Sequence, residues 1–395
     1  MITSFFILHH LSFNSWLCRP LIMLSPPVEI KVQPCQTDPQ RHSPPPPPPP
    51  PPRTFQLCKK WFPWIVPSIV VVNSVLFLVS MYINNCPHNS NRCIGKSVLG
   101  RFAFQNTHEN PLLGPSAATL LEMGALHTRE VVEKHQVWRL ASCMWLHAGV
   151  FHIVANMVSL LFVGLRLEEE FGFVRIGLLY VIAGIGGSLS SCLFVRTTIS
   201  VGASGALFGL LGAMLSELFV NWTIYENKFE AILTLVVIII INLAVGILPH
   251  VDNFAHLGGF VTGFLLGFVL LIRPHFGYVK QRTAPSSYSA KSCKSKYKLY
   301  QYIMLVVSLI LLIVGFVVGL NLLLRGVDGN HYCSWCHYLS CVPTPFWTCE
   351  ARCLVSQLEN QLNMTCIKNQ RHKFYLLDDG NNTAQIQKLC VDLCH

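Results

Sequence analysis

Seven stretches of this chain are apolar over about twenty residues, the length a helix needs to cross the hydrocarbon core of a bilayer. They cover residues 62–84, 146–167, 173–195, 203–221, 229–248, 253–273 and 301–324. That pattern removes most architectures at once. A backbone surrounded by hydrocarbon must satisfy its own hydrogen bonds, which an α-helix does. A large soluble protein with buried helices would break such runs with charge, yet 232–241 and 304–324 carry none. Hydrophobic residues make up 52% of the 395 and charged residues only 12%, about half the charged share of a soluble domain. The expected fold is therefore an all-α polytopic membrane protein with seven spans.

Charge orients the spans. Arg53, Lys59 and Lys60 flank the first one, and Lys280, Arg282, Lys291, Lys294, Lys296 and Lys298 crowd the loop before the last. Basic loops lie on the cytosolic side, and such a cluster also suits anionic lipid. Alternation then leaves the loop 85–145 and the tail 325–395 lumenal, and the turns at 166–175 and 221–228 cytosolic. The formal net charge is +10, but no aromatic–basic fold signature accompanies it, so nucleic acid is not an expected partner.

The chain divides accordingly. Residues 1–60 form a cytosolic tail. It holds nine consecutive prolines, Pro44 to Pro52, a polyproline II rod or spacer that an SH3-like or WW-like partner could bind and that otherwise reads as a solvated tail. Residues 2–24 are moderately apolar but lack a basic start and a small-residue cleavage site, so no signal peptide is expected. Six spans fill 61–273, a basic loop occupies 274–300, and the seventh span occupies 301–324.

The tail tests this orientation independently. It carries Cys333, Cys336, Cys341, Cys349, Cys353, Cys366, Cys390 and Cys394, an even and dense set that reads as a disulfide framework in an oxidising compartment. Cys86 and Cys93 can pair in the first lumenal loop. The sequons at Asn363 and Asn381 need lumenal exposure for glycosylation; a third, at Asn221, falls in a cytosolic turn and is expected to stay bare. Cys333-Ser-Trp-Cys336-His337 also fits a haem-attachment pattern, but six neighbouring cysteines favour disulfides over haem or zinc.

Polar groups inside spans are costly and point to function. Ser204 lies in Gly202-Ala-Ser-Gly205, at the start of the fourth span. There, unpaired N–H groups and the helix dipole favour a developing oxyanion. Gly202, Gly205, Gly209 and Gly212 otherwise read as a packing seam. His256 opens the sixth span from the same side, with Gly263 and Gly267 on its face and Gly259 at the edge. A histidine within about 3 Å of a serine can take its proton; left alone, it is a core histidine bonded to a carbonyl. His152 and Asn156 are i,i+4 on the second span and suit an oxyanion site, while His147 reads as structural. Asp252, four residues before His256, is a candidate to orient it, with an interfacial carboxylate the simpler reading.

These motifs together resemble the rhomboid intramembrane serine proteases. The matching residues are Trp138-Arg139, His152-Ile-Val-Ala-Asn156, Gly202-Ala-Ser-Gly205 and Ala255-His256-x-Gly258 followed by Gly263. The likeness covers about 60–325; the seventh span suits the secretase-type layout. Asn110-Pro-Leu-Leu-Gly-Pro115, Asn221-Trp-Thr-Ile-Tyr225 and the cysteine-rich tail look like plant members. The resemblance implies a Ser204–His256 dyad, with His152, Asn156 and the backbone at Gly202 shaping the oxyanion site. It also implies a membrane-inserted loop before the second span, held by Arg139. Bacterial members often stack a tyrosine on the histidine, four residues after the serine; here Phe208 keeps the ring without the hydroxyl. The implied substrates are single-pass membrane proteins, cleaved near the lumenal face without metal or cofactor. A silent binder of membrane proteins is the competing expectation. The compartment expected is the secretory pathway, Golgi or another endomembrane or the plasma membrane.

Overall fold

The computed structural model describes residues 61–89, 93–107, 109–196, 198–222, 228–245, 251–273 and 297–333, and parts of the tail beyond. The N-terminal tail with Pro44 to Pro52, the loop 274–296, Cys341, Cys349, Cys394 and Asn381 lie outside the described residues.

Among the described residues seven apolar helices form the body: α1 (Ile65–Asn84), α2 (Val150–Phe171), α3 (Phe173–Phe194), α4 (Ser204–Val220), α5 (Lys228–Val245), α6 (Asn253–Leu270) and α7 (Leu299–Leu324). By length and composition five of them can cross a membrane, and Ser204–Val220 is a shorter apolar helix. Each buries one face. Leu160, Leu179, Tyr180, Leu210 and Leu235 belong to a continuous core, while Val71, Val75, Leu233, Ile240, Ile310 and Val314 stand exposed on the outer faces of α1, α5 and α7. Apolar surface on both faces of a helix requires an apolar surrounding, and a bilayer supplies it.

The tightest contacts join α4, α6 and α3, where side chains give way to main chain. A Cβ added to Gly259 would overlap the Gly205 carbonyl, and one added to Gly263 would overlap the Gly209 carbonyl. Gly187 of α3 would meet the Ala255 carbonyl at 2.6 Å. Small residues in this register let helix backbones touch.

The first two helix starts differ from the sequence reading. α1 begins at Ile65 rather than 62, where a distant carboxylate caps it: Glu168, fully buried, accepts from the N–H groups of Trp64 and Ile65 at 2.8 and 2.7 Å and of Val66 at 2.9 Å. These are the donors a helix start leaves unpaired. α2 begins at Val150 rather than 146, because Cys143–Trp145 is a 3-10 turn and Gly149 is extended. The long loop enforces this. Asn110 donates to the carbonyls of Pro115 and Ala148 at 2.8 and 2.7 Å, and the Val150 N–H reaches the Leu113 carbonyl at 2.9 Å. His147 therefore precedes the second helix instead of lying within it.

The helix ends segregate. At one end Asn221 donates to Glu217 at 2.9 Å and to the Leu271 carbonyl at 3.0 Å, and accepts from the Arg273 N–H at 3.0 Å. Arg273 pairs with Glu217 and Glu170 there. With its amide used in packing, Asn221 makes a poor glycan acceptor whatever its side. At the other end, Arg196 donates to the Gly326 carbonyl and Asn330 to the Phe194 carbonyl, both at 2.8 Å, which docks the start of the tail beside α3.

The helical body matches the expected all-α membrane fold, and the tail adds a small sheet to it. The sheet has three antiparallel strands, β1 (Cys353–Leu358), β2 (Gln361–Cys366) and β3 (His372–Leu376), in the order β1-β2-β3. Leu362, Met364, Cys366, Cys390 and Leu393 form its small core. Among the described residues Cys86 pairs with Cys93, Cys333 with Cys336, and Cys353 with Cys390, at Cα separations of 6.0, 5.4 and 5.8 Å. Asn363 lies in β2.

Candidate active site

Ser204 is the first residue of α4 and His256 the fourth of α6. The glycine contacts bring the two helices close enough that His256 Nε2 lies 2.9 Å from Ser204 Oγ. His256 is 5% exposed. Phe208, one turn below Ser204, stacks on the imidazole with centroids 4.3 Å apart and planes 14° from parallel. The ring that the sequence retains at this position therefore does pack against the histidine.

The chain enters α4 through Gly202, whose φ of +124° suits only glycine. A side chain there is excluded for a second reason: its Cβ would lie 2.8 Å from His152 Nε2 and 3.6 Å from Asn156 Nδ2. The loop holds this entry in place. Leu126 and Ser200 exchange backbone hydrogen bonds at 3.0 and 2.9 Å, and the Gly202 N–H donates to the Cys143 carbonyl at 3.0 Å. Arg139 fixes the loop in turn, donating to the Leu121 and Ala125 carbonyls at 2.6 and 2.8 Å and to Gln136 at 2.6 Å. Its guanidinium lies 4.9 Å from the Trp138 ring, which covers Gly124.

His152 and Asn156 face Gly202 from α2. The Ala148 N–H donates to His152 Nδ1 at 3.4 Å, so the ring proton sits on Nε2, the atom turned toward Gly202. Asn156 is 0% exposed, and neither amide atom has a partner among the described residues. A buried amide costs about 1–3 kcal/mol when unpaired, so this one is free to bond a group brought beside Gly202. Together they can donate to an anionic oxygen beside Ser204.

Two candidates take other parts. His147 is fully buried and packs edge-on against His152, with centroids 5.3 Å apart. Asp252 does not reach the His256 ring. Its carboxylate caps α6 by accepting the Ala255 N–H at 3.0 Å, and it also accepts from the Ser191 hydroxyl. The neighbour of the ring is Asn253, whose Oδ1 lies 3.3 Å from His256 Nδ1. Nothing in the sequence separates Asn253 from Asp252, although its i−3 spacing places it on the histidine face. Cys143 is a buried free cysteine of this region, with its sulfur 3.1 Å from the Ser188 hydroxyl. Burial pushes its thiol up to about 12, which favours the protonated form, a poor nucleophile. Among the described residues no cluster of His, Cys, Asp and Glu could hold a metal ion.

This fold and site define a polytopic helical membrane protein with a serine and a histidine paired between two close-packed helices. A Rhomboid domain profile matches residues 134–273, the segment that carries both. The chain is 63% identical over 343 residues to RHOMBOID-like protein 1 of Arabidopsis thaliana, covering 86% of this chain and 88% of that one. It is 57% identical over 339 residues to RHOMBOID-like protein 4 of the same plant, covering 85% and 84%. Inactive RHOMBOID-like protein 8, also from Arabidopsis, is 42% identical over 295 residues, covering 72% and 82%. The chain belongs to the rhomboid family.

Proposed function

We propose that this chain is an intramembrane serine endopeptidase that cleaves transmembrane segments of single-pass membrane proteins near the lumenal or extracellular face. The observation that carries this reading is the 2.9 Å approach of His256 Nε2 to Ser204 Oγ at the starts of α4 and α6. His256 takes the Ser204 proton as the oxygen attacks the peptide carbonyl. The tetrahedral oxyanion receives hydrogen bonds from His152 Nε2 and the Asn156 amide, with the N–H groups at the start of α4 adding their dipole. His256 then returns the proton to the leaving amine. Water deprotonated by His256 attacks the acyl-enzyme, and the released serine recovers its proton.

Further parts of the reading go with it. The chain spans the bilayer seven times, with its N-terminus cytosolic and its tail in the lumen of the secretory pathway. Cysteine pairing and glycosylation at Asn363 and Asn381 accompany that location. The nine prolines serve a cytosolic partner of SH3-like or WW-like type. Family membership alone leaves activity open, since some relatives are named inactive; the presence of both serine and histidine favours activity here.

The test is cleavage of a tagged single-pass substrate in liposomes by wild type, Ser204→Ala and His256→Ala. Wild type should cleave and both variants should be silent. Wild type that co-purifies with several substrates but cleaves none would instead make the chain a binder of membrane proteins.

A further inference from the structure

A histidine that accepts a proton at Nε2 must carry its own proton on Nδ1. His256 meets Ser204 through Nε2, so its Nδ1–H needs an acceptor inside the protein. Among the described residues Asn253 Oδ1, at 3.3 Å, stands there. Asn253 is 3% exposed and lies one helical turn before His256.

An amide can face a ring nitrogen with either its oxygen or its nitrogen. The surroundings of Asn253 decide which. Its Nδ2 donates to the Leu339 carbonyl at 2.9 Å and to the Leu243 carbonyl at 3.4 Å. Two carbonyls can only accept, so the nitrogen belongs on their side and the oxygen on the imidazole side. The histidine tautomer follows. Leu339 comes from the tail, just past the short loop closed by Cys333 and Cys336, and its N–H donates to the Cys336 carbonyl at 3.0 Å. That segment is docked by Asn330 on the Phe194 carbonyl, and Phe194 stacks on Phe254 of α6 with centroids 4.4 Å apart. A line of contacts thus runs from tail to imidazole.

We propose that Asn253 is the positioning residue of His256, and that the tail, through the Leu339 carbonyl, sets the orientation of Asn253. The tail is then a component of the active site. A neutral amide suits the task here. A carboxylate at this depth would bring the desolvation cost of a buried charge, and the one nearby, Asp252, is used on the helix cap and Ser191.

The proposal rests on the protease reading for its kinetic consequences, so the experiment has a readout independent of cleavage. Ring-nitrogen NMR of histidine-labelled protein in detergent, assigned by comparison with His256→Ala, reports the tautomer directly. Wild type should show His256 protonated at Nδ1 and bare at Nε2. Asn253→Ala should show mixed tautomers. In cleavage assays normalised to sites labelled by a fluorophosphonate, Asn253→Ala should lower kcat about 10- to 100-fold with little change in KM, part of what general-base catalysis supplies. Asn253→Asp, isosteric and held neutral by burial, should recover most of that loss. The Cys333→Ser, Cys336→Ser double variant, which frees the tail segment, should lower kcat in the same direction. An unchanged His256 spectrum in Asn253→Ala, or unchanged kcat per labelled site, would overturn the role of Asn253. Unchanged kcat in the double variant would overturn the part given to the tail. A wild type that neither labels nor cleaves would remove the protease reading and still leave the tautomer to be decided by NMR.

Discussion

Asn156 shows how a single residue can be read from what it lacks. It is fully buried on α2, close to Gly202, with both amide atoms unpaired among the described residues. In the proposed mechanism that amide is the donor held for the oxyanion. Asn156→Ala should therefore leave the fold intact and lower kcat about 100- to 1000-fold, the usual cost of one oxyanion donor. Measuring kcat alongside the thermal transition decides it: a fall in both would mark a structural residue. Ser204, His256, His152 and Asn156 were legible from sequence because their chemistry is expensive inside a span. Asn253 was not. Asp252 and Asn253 are adjacent and both polar, and sequence does not say which one turns to the ring and which caps the helix. That choice depends on Ser191 and Leu339, which lie 61 and 86 residues from their respective partners.

Among the elements, the α4–α6 pair is the most demanding. Gly209 and Gly263 meet main chain to main chain, so an added methyl has no flexible side chain to displace. Gly263→Ala should destabilise by at least the 1–3 kcal/mol typical of overpacking, and it should lengthen the Ser204–His256 contact. The expected result is a lower thermal midpoint and lost cleavage together. Gly315→Ala on α7 is the control, since a Cβ there meets nothing within 4 Å; it should be neutral. Equal behaviour of the two variants would refute the seam. The existence and type of the seven helices were legible because their apolar runs are long and nearly uncharged. The starts of α1 and α2 were not, since Glu168 and Leu113 fix them from more than thirty residues away. The sheet of the tail was equally hidden: cysteine spacing announces cross-links but not strands.

For the whole molecule, the two ends differ in kind. One carries Glu168, Glu217, Asn221 and Arg273; the other carries Ser204, His256, the long loop and the tail. If the second end is lumenal, endoglycosidase treatment of protein from secretory membranes should sharpen its mobility, and the Asn363→Gln, Asn381→Gln pair should abolish that shift. Asn221→Gln should not alter it. A glycan that survives the double variant, or no glycan on protein recovered from the plasma membrane or Golgi, would argue against this orientation.

Where backbones touch without intervening side chains, there is no soft layer to take up thermal motion. Ser204 and His256 then ride on what is mechanically a single strut, and their spacing is a constant of the scaffold rather than an outcome of side-chain sampling. Clearance for a substrate has to be made by helices outside that strut, so changes that ease access and changes that alter chemistry should fall on separate sets of residues.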